Sequence, residues 1–304
     1  MRAACFGAAP LGLPPGYPGR MDTGRMLDVR GVFQVNAGHV RHAPPTGFAG
    51  LGVLRAFGFD VVEAEPVRRR KIPGGTVKIV FAMAGTVNGL SRGPAALVIG
   101  MHDRGGVATH SGRMCSAQLQ LGPLAARRLL GVPLSEFRNG AVDLADLFGP
   151  QAQRFVERLA ETPCWDERFA LIADFLRARS AEADPDPVVA AAVARLRASR
   201  GRASITELAT EIGWSRRHFA RRFGDHIGLS PKSYASLARF SAALSRLTAA
   251  EAGGAPDLGE LADQLGYYDQ SHLTRDFQRY AGTSPARFHQ AMSLSSNTSV
   301  VVPS

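Results

Sequence analysis

The spacing of apolar and polar residues changes period once along the chain, near residue 123. Between about residues 27 and 122, the short apolar runs "GVFQV", "TVKIVFAMA", "ALVIGM" and "CSAQLQL" are separated by turns such as "APPTG" and "PGG". Several of these runs are β-branched or alternate with polar residues, which predicts strands and a small, mostly β unit. From 123 onward the texture is helical, through "PLAARRLLG", "VDLADLFG", "PQAQRFVERLAE" and "PCWDERFALIADFLRARS". Phe155 and Leu159 lie four apart, and Trp165, Phe169, Ile172 and Leu176 form a three-to-four stripe. Such stripes predict helix core rather than a ligand pocket.

The acidic, proline-containing stretch "SAEADPDP" predicts a linker over 181–187. It separates an N-terminal domain, 27–180, from a helical region, 188–292, that opens with the apolar "VVAAAVARLRAS". The first 20 residues hold four Gly and four Pro, so 1–26 reads as a disordered lead-in rather than a signal peptide, with Met21 or Met26 as alternative starts. Residues 293–304 read as a flexible tail.

The helical region contains the same unit twice. "ELATEIG" (207–213) sits over "ELADQLG" (260–266), and "GWSRRHFARRFGDHIGLSP" over "GYYDQSHLTRDFQRYAGTSP". His218, Arg221 and Phe223 recur as His272, Arg275 and Phe277, and Gly228, Pro231 and Tyr234 as Gly282, Pro285 and Phe288. The offset is 53 before the turn and 54 after it, so the second copy carries one extra residue there. Two copies are too few for a solenoid, which needs about three. A duplicated functional module fits better.

Each copy spells helix, glycine turn, helix. Ser204 with Glu207, and Asp257 with Glu260, predict helix starts. Ile205, Leu208, Ala209 and Ile212 give one apolar face, and Leu258, Leu261, Ala262 and Leu265 its twin. Gly213 and Gly266 predict left-handed helix ends, and Ser215 and Asp269 predict caps of a second helix. That is a helix-turn-helix pattern. On the second helices Phe219 and Phe223, or Leu273 and Phe277, face inward. This leaves Arg216, Arg217, Ala220 and Arg221 in the first copy, and Gln270, Ser271, Thr274 and Arg275 in the second, to face outward. Arg pairs bidentately with guanine and Gln with adenine in the major groove, at ~1–3 kcal/mol of discrimination per good contact. Between the copies, Tyr234, Leu237, Phe240, Leu244 and Leu247 predict a long helix that spaces the modules. Two recognition helices on one side of a duplex would enter grooves about 34 Å apart.

Composition agrees without deciding. A 304-residue chain with 45% hydrophobic and 20% charged residues reads as a globular protein with room for two domains. The net charge of +10 permits nucleic-acid binding, and its distribution is more telling. Residues 195–232 hold nine Lys or Arg against three acids, whereas 233–292 hold five against six. Cys5, Cys115 and Cys164 are odd in number and scattered, which suits a reducing cytoplasm and neither a disulfide framework nor a clustered zinc site. No run reaches the roughly 18 apolar residues of a membrane helix.

Residues from about 188 to 290 resemble the C-terminal DNA-binding domain of the AraC/XylS transcription regulators. The resemblance rests on "LATEIGWSRRHFARRFGDHIGLSPKSYASLARFSAAL" and "LADQLGYYDQSHLTRDFQRYAGTSPARF", with "GYYDQSHLTRDF" and "GTSPARF" the most diagnostic segments. It implies an all-α domain with two helix-turn-helix modules, which the strand and helix patterns above join to an α+β N-terminal domain. Arg217, Ala220 and Arg221, then Gln270, Ser271, Thr274 and Arg275, fall on base-reading positions, with Ala220 replacing the polar residue often found there. The resemblance further implies a cytoplasmic, nucleoid-associated, non-enzymatic activator that binds double-stranded promoter DNA and contacts RNA polymerase. Its N-terminal domain would take a small-molecule effector or form a homodimer, with no cofactor and no membrane. Residues from about 115 to 149 also resemble part of an uncharacterised domain that precedes this DNA-binding domain in some bacterial regulators.

Rival readings are weaker. His102, Asp103, His110 and Cys115 lie close in sequence, but "MHDRGGVATH" lacks the ligand spacing of a metal-binding cupin. "GFAGLG" has no strand and helix around it to make a dinucleotide site. A methyl-accepting DNA-repair protein would need a cysteine cluster. His218 and His272 read as helix-packing or phosphate-contacting residues rather than metal ligands. An architectural, non-specific DNA binder would lose affinity with salt for every sequence alike.

Overall fold

The computed structural model of the protein describes residues 40–43, 45–85, 94–179, 186–249 and 257–295. The lead-in, the "GVFQV" run, most of the linker and the end of the tail lie outside the described residues. Six strands form one antiparallel sheet: β1 (Val40–His42), β2 (Val53–Lys71), β3 (Val77–Ala84), β4 (Ala95–Ile99), β5 (Gly106–Leu121) and β6 (Ala141–Asp143), in the order β1-β2-β5-β3-β4-β6.

The interior strands explain their own sequences. In β3, Val77, Ile79 and Phe81 point to one face and Lys78 and Val80 to the other, and all are buried. A strand covered on both faces reads as a nearly continuous apolar run, broken here only by Lys78 and the leading Thr76, which is why "TVKIVFAMA" is legible. By contrast β2, the longest strand, is not among the runs that the sequence predicts. Its second half, "VVEAEPVRRRK", is charged and interrupted by Pro66. Its register with β5 shifts between Glu63 and Val67, the kind of irregularity that admits a residue with no N–H to donate. Pairing along β5, not apolarity, makes this segment a strand.

Four helices follow: α1 (Pro123–Leu130), α2 (Leu144–Phe148), α3 (Pro150–Glu161) and α4 (Trp165–Arg177). Phe155 of α3 meets Phe81 of the sheet edge-on at 5.8 Å and stacks on Phe175 of α4 at 4.1 Å. Leu159, Ile172 and Leu176 are fully buried, so the two sequence stripes are core. Trp165 lies flat against β2 where a Cβ on Gly58 would come within 2.1 Å of the indole, so only glycine fits there.

The rest is helical: α5 (Pro187–Ala198), α6 (Ile205–Glu211), α7 (Arg216–Ile227), α8 (Pro231–Ala249), α9 (Leu258–Gln264), α10 (Gln270–Ala281) and α11 (Pro285–Ser295). Along α8, Tyr234, Leu237, Phe240, Leu244 and Leu247 are all buried. Tyr234 packs edge-on to Phe223 of α7 at 5.6 Å, and Phe240 to Phe277 of α10 at 5.0 Å. The fold is therefore an α+β part followed by an all-α part with two helix-turn-helix modules. No helix among the described residues is long and apolar enough to cross a membrane.

Candidate nucleic-acid interface

The two modules are built by the same local chemistry. Ser204 Oγ accepts the Glu207 N–H at 3.2 Å to start α6, and Asp257 Oδ1 accepts the N–H groups of Gly259 and Glu260 to start α9. These side chains satisfy donors that a helix start leaves without a partner. Both helices end at a glycine in the left-handed region, Gly213 at φ 75° and Gly266 at φ 73°. The turns close alike, with Trp214 N–H donating to Ala209 O and Tyr267 N–H to Ala262 O, each at 2.9 Å. Ser215 then caps α7 through the His218 N–H, and Asp269 caps α10 through the His272 N–H.

His218 and His272 are now explained. Each imidazole packs edge-on against the aromatic residue of its own turn, Trp214 at 4.7 Å and Tyr267 at 5.1 Å. No group of three or more His, Cys, Asp or Glu among the described residues could hold a metal ion.

Phe219 and Phe223 in α7, and Leu273 and Phe277 in α10, are fully buried and fix the rotation of each helix. That rotation leaves Arg216, Arg217, Ala220 and Arg221 exposed on α7, and Gln270, Ser271 and Arg275 exposed on α10, with Thr274 half-buried. The spacing i, i+1, i+4, i+5 puts each set on one side of the first two turns of its helix. The Arg221 guanidinium lies 3.4 Å from His218 Nδ1. Among the described residues, the side chains of Arg216, Arg217 and Arg275 make no hydrogen bond or ion pair, so their guanidinium groups are free for a ligand. Arg222, by contrast, turns inward and pairs with Asp186 at 2.6 Å. Burial pulls the Asp186 carboxyl pKa up, but Arg222 and the helix-start N–H groups of Val188 and Val189 outweigh it and hold the value low.

One residue of this surface escapes the sequence reading. Tyr268 is 93% exposed, the most exposed large apolar side chain described, and directly precedes the cap of α10. It is the extra residue of the second turn, so the step in the repeat offset from 53 to 54 is the signal that points to it.

Residues 208–291 match the family model of a helix-turn-helix domain. That match spans both modules, from within α6 to within α11. Among solved structures, ToxT from Vibrio cholerae is similar at 10% identity and a TM-score of 0.40, over 78% of this chain and 97% of that one. ToxT bound to an unsaturated fatty acid gives 12% identity and a TM-score of 0.40, over 77% of this chain and 94% of that one. The C-terminal domain of AraT, a response regulator from Geobacillus stearothermophilus, gives 18% identity and a TM-score of 0.30, over 34% and 85%. No curated protein matches the chain.

Proposed function

We propose that this protein is a sequence-specific transcription regulator, of the activator kind, that inserts α7 and α10 into successive major-groove segments of promoter DNA. The observation that carries this reading is the pair of exposed polar faces on the first turns of two helices built and capped alike. Arg216, Arg217 and Arg221 supply guanidinium groups for guanine edges and phosphates, and Ala220 leaves room for a thymine methyl. In the second module Gln270 suits adenine, Arg275 guanine, and Ser271 and Thr274 either. Tyr268 adds a phenol at the start of α10, where the sugar-phosphate backbone passes a docked helix. The N-terminal part is the regulatory unit, which takes an effector or a second copy, and the protein acts in the cytoplasm.

The test is selection of genomic fragments by the full chain, footprinting of the best ones at physiological salt, and the same selection with Arg217→Ala and Arg275→Ala. A common site protected over two adjacent groove segments is expected, with each variant relaxing base preference in a different half. Unchanged preferences in both variants would sink the residue assignment. Binding without any preferred site, falling alike with salt for all fragments, would make this an architectural binder.

A further inference from the structure

The α+β part does not simply precede the two modules in sequence; it holds both of them, at equivalent places. On α7, Asp225 accepts a hydrogen bond from Ser135 Oγ at 3.0 Å. A Cβ on Gly228, at the end of that helix, would lie 3.2 Å from Leu134 O and 3.3 Å from the Met101 side chain. On α10 the residue equivalent to Asp225 is Arg279, whose Nε donates to Asp103 O at 2.6 Å and whose Nη2 lies 3.4 Å from Asp103 Oδ2. The Gly105 N–H donates to Arg279 O at 2.9 Å. The Arg70 guanidinium donates to Ala281 O at 2.5 Å and lies near Gly282, the equivalent of Gly228. Helix C-terminal carbonyls lack partners within the helix, so N–H donors from elsewhere suit them.

The segment that makes these contacts is itself stiff. Asp103 exchanges two hydrogen bonds with Asn139, at 3.0 and 3.1 Å, and pairs with Arg138. The Asn139 N–H donates to Met101 O at 3.0 Å, and a Cβ on Gly100 would lie 2.1 Å from Phe137 O. Within three residues, then, Met101 touches the end of α7 and Asp103 holds the end of α10. Helix α8 joins two modules that could otherwise twist against each other. A third body gripping both far ends removes that freedom.

We infer that Asp103 is a positioning residue for DNA reading: with Met101 and Gly105 it braces the last turns of both recognition helices and so sets the half-site spacing that the protein accepts. This rests on the proposed reading of bipartite DNA. A signal that moves the 100–105 segment would thereby change which sites are bound. It needs no contact with either reading face.

The test uses the full chain, its best selected site, and versions with one or two base pairs inserted or removed between the halves. Each base pair turns the second half by about 35°. Two variants are compared with wild type. Asp103→Asn removes the charge shared by Arg138 and Arg279. Gly105→Ala leaves that charge in place but drives a Cβ to 2.2 Å from Tyr280 O, which wedges the joint open. A probe with one half scrambled reports each module alone.

Wild type is expected to lose about tenfold or more in affinity on a two-base-pair change, within the range of a damaged site contact. Both variants are expected to shrink that penalty to about threefold or less while binding the scrambled probes as wild type does, because the reading faces are untouched. A wild-type spacing profile in both variants overturns the inference and leaves the function standing. Loss of scrambled-probe binding in proportion to the bipartite site also overturns it, because the joint would then only support folding. A wild type with no preferred site fails the DNA-reading proposal itself, and this inference falls with it.

Discussion

The first and second helix-turn-helix modules share caps, glycine turns and aromatic cores, yet equivalent positions carry opposite charge. Arg222 in the first pairs with Asp186 at the start of α5, whereas its counterpart Asp276 is buried and accepts a hydrogen bond from Ser236 of α8. Asp225 meets Ser135, whereas its counterpart Arg279 meets Asp103. The outward faces differ in the same spirit, with three guanidinium groups on α7 against one on α10 beside an amide and two hydroxyls. Backbone geometry in this repeat is set by a few caps and rings, while the remaining positions are free to diverge in electrostatics. On the proposed function, the first module would supply most of the attraction to phosphate, and the second hydrogen-bonding selectivity on a near-neutral frame.

The largest expected effect tests whether the two frames are equal. Phe223→Ala and Phe277→Ala each empty a fully buried site and should each cost about 3–5 kcal/mol. Thermal or urea denaturation checks this, and a clearly unequal pair would show that one module leans on its neighbours more than the other.

Acid should separate the α+β part from the modules. Burial, helped by the charges of Lys78 and Lys71, lowers the His102 pKa to about 4 against the Gly100 carbonyl, which accepts its Nδ1–H at 2.9 Å. A histidine whose folded pKa lies below its unfolded value stabilises the fold above pH 6.5 and loses that contribution as pH falls toward 4. At ~1.4 kcal/mol per pH unit the loss reaches about 3 kcal/mol. Asp186, with its pKa held below the ordinary 3.8, keeps its contribution until lower pH. Fluorescence of Trp165 should therefore report loosening between pH 6.5 and 4 before the modules unfold, and His102→Gln should flatten that slope. A slope unaltered in the variant would place the titrating group elsewhere.

On DNA, Arg217→Ala and Arg275→Ala should each cost ~1–3 kcal/mol against the preferred site. The salt dependence sharpens the contrast. Arg216→Ala should reduce the slope of log K against log salt by about 0.9 if its guanidinium neutralises one phosphate, whereas Gln270→Ala should leave the slope alone. Filter binding at four salt concentrations decides this, and equal slopes for both variants would remove the division of labour.

The smallest effects are at the caps. Ser204→Ala and Asp257→Ala should each destabilise by about 1 kcal/mol, the Asp variant slightly more because its carboxylate takes two N–H groups. Denaturant midpoints measure both.

What the sequence determined by itself is local. The caps Ser204, Ser215, Asp257 and Asp269, the left-handed Gly213 and Gly266, the buried Phe223 and Phe277, and the placement of eight residues away from those rings on α7 and α10 all follow from interactions within one helical turn or from a 3.6-residue period. Such signals need no knowledge of the rest of the chain. Duplication made them legible, because the second copy repeats each of them in register. The interior strands β3 and β4 were readable for a related reason, as strands buried on both faces are almost continuously apolar, Lys78 being the exception in β3.

Tertiary structure alone decided the rest. Strand β2 exists because β5 lies beside it, and nothing in "EAEPVRRRK" foretells that pairing. Arg222 looks in sequence like one more cation of the first module until Asp186 is found beside it. Asp103 and Arg279, 176 residues apart, meet only because the connection between β4 and β5 lies against the end of α10. Contacts of that separation depend on how the elements are placed in space, and a single sequence records the residues at each end without recording that they touch.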